Sequence, residues 1–127
     1  MSGKILLFGF EDLPAILAVS AAAEPFGAAV VPVARADYGK SISALAGLND
    51  ESGPSAPYAG GPLGGRMMVL CGMEEQVQAL LPALALAGAG PECLKAVLTP
   101  HNRRWSALKL FDELFRERQA LLRGGSQ

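Results

Sequence analysis

Set against itself at a spacing of 63 residues, the chain aligns Gly3–Leu48 with Arg66–Phe111 without a gap. Self-similarity of this kind narrows the folds open to a chain, because each copy has to supply the same supersecondary unit. Nine of the 46 pairs are identical, among them Gly9 with Gly72, Glu11 with Glu74, Leu17 with Leu80 and Gly27 with Gly90, and Ser43-Ala44-Leu45 meets Ser106-Ala107-Leu108. In a chain rich in Ala, Leu and Gly such identity is only suggestive. The agreement of the expected element boundaries carries more weight, and it predicts a duplication.

Each half reads as strand, helix, strand, helix. Lys4–Gly9 is a short apolar run and predicts a buried strand. Glu11-Asp12 then caps a helix with Leu13, Ile16, Leu17 and Ala21 on its apolar side, Pro14 being tolerated in the first turn. Pro25 and Gly27 end it, Ala28–Ala36 is the second strand, and Ser41–Leu48 is a short helical stretch. In the other half the strands are Met67–Cys71 and Cys93–Thr99. The helix after Glu74-Glu75 buries Val77, Leu80, Leu81 and Leu84 and is interrupted by Pro82. Arg104–Leu122 is the longest helix, with Trp105, Leu108, Phe111, Leu114, Phe115, Leu121 and Leu122 recurring at three- and four-residue steps. From Gly124 onward the chain frays.

Residues 1–127 read as a single domain: a first, degenerate repeat at 3–48, a flexible Gly/Pro-rich loop at 49–65, and a second repeat at 66–122. Pro32 and Lys95 stand 63 residues apart, each inside a second strand. Proline lacks the ladder donor and lysine is costly in a sheet centre, so both strands are expected at edges. The apolar first strands then take the centre. Two central and two edge strands from a duplicated βαβα unit predict an α/β (α+β) fold, a ferredoxin-like βαββαβ sandwich with an extra C-terminal helix. A wholly parallel sheet is the alternative. Ile5 and Leu7 face one side of the sheet, Leu6 and Phe8 the other, so both sides need cover. The C-terminal helix or a second subunit can supply it on the side opposite the two repeat helices.

Lys95-Ala96-Val97-Leu98-Thr99, Asn102, Trp105, Leu108, Glu113-Leu114 and Glu117 form an ordered pattern between Leu94 and Glu117. This segment resembles a small bacterial and archaeal family known as domain of unknown function 3783. The resemblance covers Arg66–Leu122, and the Thr–Asn–Trp spacing is its most specific part. The first copy has Ala36, Gly39 and Ile42 at the matching positions and departs from the pattern. The resemblance implies domain boundaries and no activity.

Half of the residues are apolar, 18% are charged and the net charge is −1, which fits a globular chain with no global pull toward nucleic acid, acidic substrates or anionic membrane. Two cysteines, Cys71 and Cys93, without a CxxC pair, and one histidine, His101, are too few for a closed zinc site, so no metal is expected. No cofactor is expected either. The apolar run near Met1 is too short for a leader or a bilayer span, and the expected location is cytoplasmic. Phe8 and Phe10 lack the basic glycine-aromatic run of an RNA-binding sheet, so no nucleic-acid partner is expected, and no membrane.

Ala34–Ser41 (ARADYGKS) loosely matches a phosphate loop, but the first glycine is alanine and the loop interior has none. An ordinary turn capped by Ser41 is the simpler reading. Glu11-Asp12 and Glu74-Glu75 stand at helix starts, where acids are expected from the dipole alone. Thr99, His101, Asn102, Arg103 and Arg104 are the candidate ligand-binding set. With Asn102 as N-cap, two arginines and a histidine sit where the helix dipole is already positive, and a bound small anion would resolve that conflict. Solvated or ion-paired arginines would resolve it equally. The functional expectation is a non-enzymatic regulatory or sensory module binding a small anionic metabolite or a protein partner. A ligand-free homo-oligomerisation domain and a small enzyme acting at the 99–104 loop are the alternatives.

Overall fold

The computed structural model describes residues 3–47, 58–61, 63–90 and 92–124. Of the expected loop, 49–57 and 62 lie outside these residues, as does Leu48. The elements in chain order are β1 (Gly3–Phe8), α1 (Leu13–Ala23), β2 (Ala28–Pro32), α2 (Ile42–Leu45), β3 (Met67–Cys71), α3 (Val77–Leu86), β4 (Leu94–Val97) and α4 (Ala107–Gly124). Each central strand ends in a left-handed glycine, Gly9 (φ 81°) or Gly72 (φ 72°). A Cβ on Gly9 would lie 2.6 Å from the Gly65 carbonyl oxygen, so the turn excludes any other residue on steric as well as conformational grounds. Asp12 then starts α1 by accepting the Ala15 amide at 3.2 Å, and Pro14 sits in the first turn, where no amide is missed.

The four strands form one mixed sheet in the order β2-β1-β3-β4. β1 and β2 are parallel, β3 and β4 are parallel, and β1 runs antiparallel to β3. The strands carrying Pro32 and Lys95 are therefore the edges, and the antiparallel centre excludes a wholly parallel sheet. The ferredoxin-like arrangement is corrected on one point. Such a sheet splits each βαβ unit with a strand from the other, whereas here β1 pairs directly with β2, and β3 with β4. In each half the crossover through the helix, α1 or α3, returns the chain to the immediate parallel neighbour of the strand it left.

The constant 63-residue register also needs correction. Lys4 pairs with Ala29, so Met67 should meet Glu92; it meets Leu94 instead. The chain between α3 and β4 is longer than that between α1 and β2, and the extra residues shift everything downstream by two. Leu7 pairs with Pro32 and Leu70 with Val97, a spacing of 65 between the two partners, and the same spacing sets Ser106 against Ser41 rather than Ser43.

The alternation in β1 is as expected. Ile5 and Leu7 join one core with Met68, Leu70, Val19, Leu80 and Leu84 beneath α1 and α3. Leu6 and Phe8 join the other with Met67, Val69, Tyr38, Ile42, Ala107 and Leu110. Four successive buried apolar residues contribute about 1.5–3 kcal/mol each, which makes β1 the backbone of both cores. The chain itself covers the second face, with the 33–46 segment and the first turns of α4. No helix among the described residues is long and apolar enough to cross a membrane.

Two helices differ from expectation. α1 buries Val19 and Ala23 and turns Leu13 and Leu17 to solvent. Eleven residues with Ser20 as the one polar side chain give no polar face to fix the rotation. α4 begins at Ala107 rather than Arg104, and its N-cap is Ser106, whose Oγ accepts the Lys109 amide at 3.1 Å. Its apolar stripe is graded: Leu110 is buried, Trp105, Leu108, Phe111 and Leu114 are half-buried, and Phe115, Leu121 and Leu122 are exposed. Leu121 and Leu122 line an open cleft with Leu94 and Lys95 of β4.

Candidate interaction surface

The turn that leaves β4 brings Thr99, His101, Asn102, Arg103 and Arg104 together, but ahead of α4 rather than in its first turn. Thr99 and Asn102 lock each other. The Thr99 amide donates to Asn102 Oδ1 at 3.0 Å, and the Asn102 amide donates to Thr99 Oγ1 at 3.1 Å. Asn102 Nδ2 reaches back to the Val97 carbonyl at 3.1 Å, and the Arg103 amide donates to the Thr99 carbonyl at 3.0 Å. Asn102 is buried, and these bonds supply partners to backbone groups that the end of β4 leaves open. The His101 ring stands edge-on to Trp105 at 5.1 Å, and Arg104 is exposed. The Thr–Asn–Trp spacing thus has a structural use: it clasps the end of β4 to the approach of α4.

The clasp is tied across the molecule. The Ser43 amide donates to the Arg103 carbonyl at 2.8 Å and the Ile42 amide to the Trp105 carbonyl at 2.9 Å. Ser41 and Ser106 form an antiparallel bridge between the two. Ser41 belongs to the stretch resembling a phosphate loop, and here its Oγ caps α2 through the Ala44 amide at 3.2 Å. Lys40 turns to Asp37 at 3.0 Å, and Arg35 to Glu11 at 2.8 Å. Arg35–Asp37 is a single tight turn, so the segment does not wrap an anion with backbone amides.

A second place where polar groups meet is a cleft of about 390 Å³ lined by Lys4, Gly47, Cys71, Glu74 and Leu98. The Lys4 ammonium donates to the Ala46 carbonyl at 2.8 Å. Burial pushes the Cys71 thiol up to about 11, opposed in part by Lys4 and reinforced by Glu74. Burial also raises the Cys93 thiol. Neither is a nucleophile near neutral pH, because the thiolate is the reactive form.

The most unusual surface belongs to the helical layer. Neither α1 nor α3 contains a charged residue, and Leu13 (64%), Leu17 (58%) and Leu86 (91%) stand open on their outer sides. Pro14 and Ala21 of α1, and Ala79, Pro82 and Ala85 of α3, are exposed beside them. A helix apolar all round is ordinarily a buried one. The sequence carried this signal: two ten- to eleven-residue helices without Lys, Arg, Asp or Glu. Reading Leu13 and Leu17 as core hides it.

No curated protein and no solved structure shows significant similarity to the chain. Residues 66–121, from β3 into α4, match the family model of a domain of unknown function (DUF3783).

Proposed function

We propose that this chain is a non-enzymatic docking module whose working surface is the outer face of α1 and α3. The observation that carries the reading is the exposure of Leu13, Leu17 and Leu86 on two helices without a charge. Contiguous apolar surface with a polar border marks a protein contact more often than a solvated face. The border is present: Glu11 and Asp12 lie at the start of α1, Glu74 and Glu75 just before α3. The opposite face of the sheet is already covered by α2, the 99–105 turn and the start of α4. We further read the two halves as copies of one βαβα unit with a two-residue slip before β4, a reading supported by the shared pairing pattern of β1/β2 and β3/β4.

Binding of a small anion at His101–Arg104 has less support, since Thr99 and Asn102 direct their polar atoms at each other and at the backbone. The docking reading is tested by affinity capture with the wild-type chain and with a Leu17→Asp/Leu86→Asp chain side by side. A defined component, whether another protein or a second copy, retained by the first and lost by the second supports it. Equal retention by both, or by neither, refutes it.

A further inference from the structure

Resting on that docking reading, we propose that the partner of the α1/α3 face is a second copy of this chain, in a closed two-fold dimer. The chain carries both halves of such a contact. α1 presents a ridge, Leu13, Leu17 and Ala21, spaced four residues apart, so the three project on one line. Beside α3 lies an apolar groove of about 480 Å³, between Leu81, Pro82 and Ala85 on one side and Gly90 and Lys95 on the other. The ridge of one copy entering the groove of the other is repeated by the two-fold axis, which is the self-complementary pattern of an isologous interface.

Two further features favour self-pairing over a different protein. Because β1 and β3 are antiparallel and each is followed by its helix, α1 and α3 also run antiparallel. The face is then near-symmetric within one copy, and stacking it on itself closes the contact without leaving a surface for further growth. Charge agrees. The ridge itself is uncharged, the Lys95 ammonium at the groove is turned to the Gly90 and Cys93 carbonyls at 2.7 and 3.1 Å, and the acids nearest the ridge are paired within the chain, Glu11 with Arg35 at 2.8 Å and Asp12 with Arg66 at 2.9 Å. The exposed leucines of α4 make a poorer self-contact, since Asp112, Arg116, Glu117 and Arg118 lie among them.

Each helix of the face is only about 16 Å long. A standard stable interface buries roughly 800 Å² per partner, and helices this short place the contact toward the small end of that scale. The association is therefore to be sought from the micromolar range upward.

The experiment is sedimentation of the full chain from about 1 µM to 1 mM, a range set to span that association. Wild-type protein should pass from monomer to twice that mass and stop there. Leu17→Asp and Leu86→Asp should each weaken the association at least tenfold, with unchanged circular dichroism, because both side chains are exposed in the single copy. Leu121→Asp, on the opposite layer, should leave it unchanged. If the charged variants lose structure, Leu17→Ser and Leu86→Ser replace them. A wild-type chain that stays monomeric, a series that grows beyond two copies, or association lost in Leu121→Asp but kept in Leu17→Asp would each overturn the dimer. A monomeric wild-type chain whose Leu17 and Leu86 variants still lose a captured protein would overturn self-pairing alone and leave the face a docking site for that protein.

Discussion

Ser41 and Ser106 face each other across an antiparallel bridge, and each caps the helix that follows it. The two loops that cover the second face of the sheet are therefore joined at the points where their helices begin. Ser41 is buried and its Oγ lies 3.3 Å from that of Ser43, whereas Ser106 is half-buried and makes its cap alone. Ser106→Ala should cost about 1 kcal/mol. Ser41→Ala should cost more, about 1–2 kcal/mol, because it also removes the partner of a buried hydroxyl. Urea unfolding of both variants checks the order, and a smaller loss at Ser41 would contradict it.

Asn102 holds three bonds whose partners are the Thr99 amide, the Thr99 hydroxyl side of the turn and the Val97 carbonyl. Asn102→Ala should destabilise the chain by about 2–4 kcal/mol, since at least two backbone groups lose their partners near the core. Asn102→Asp keeps the acceptor for the Thr99 amide but sets a carboxylate oxygen against the Val97 carbonyl. It should therefore also destabilise, and less at low pH, where the acid can donate. An Asn102→Asp chain as stable as wild type at pH 7 would show that the Val97 contact contributes nothing.

The two cysteines give a pH prediction. The folded Cys71 thiol titrates near 11, above its ordinary value of 9.0, so the folded state holds its proton more tightly than the unfolded state does. Stability from this group is full below pH 9 and is lost as pH rises from there toward 11, because the unfolded chain ionises first. The same displacement lowers the thiolate fraction at pH 8 by roughly a hundredfold. Alkylation by iodoacetamide should be slow in the folded protein and rapid in urea. Equally fast alkylation of Cys71 in both states would place that thiol in solvent.

Adjacent positions on α4 separate core from rim. Leu110 is buried and Phe111 only half-buried, beside a cleft shared with Tyr58, Leu63 and Phe115. Leu110→Ala should cost about 2–5 kcal/mol. Phe111→Ala should cost less despite its larger side chain, about 1–2 kcal/mol, since part of the ring is already open to solvent. Thermal unfolding of the two variants decides it, and the reverse order would mean that the aromatic side is the anchoring one.

The strands were readable because their cause is local. A run such as Ile5–Phe8, apolar at every position, short, and closed by Gly9, reads as a strand covered on both faces, and it is one. Pro32 and Lys95 likewise marked edge strands, since a missing donor or a buried ammonium is unfavourable in any central strand. The amphipathic α4 was legible for the same reason, though its start was not: Asn102 and Ser106 are both good caps, and only the Thr99–Asn102 clasp decided between them. The candidate site at 99–104 was legible as a cluster of residues and not as a set of contacts. Whether a polar side chain faces solvent or completes a turn depends on backbone several residues away, as the Val97 carbonyl shows. Strand order, too, was beyond the sequence, because a βαβ unit whole or split uses the same strands and helices. The rotation of α1 shows the limit most simply. With one polar residue in eleven, its sequence is compatible with almost any face inward, and only packing on β1 and α3 buried Val19 and Ala23 and left Leu13 and Leu17 outside.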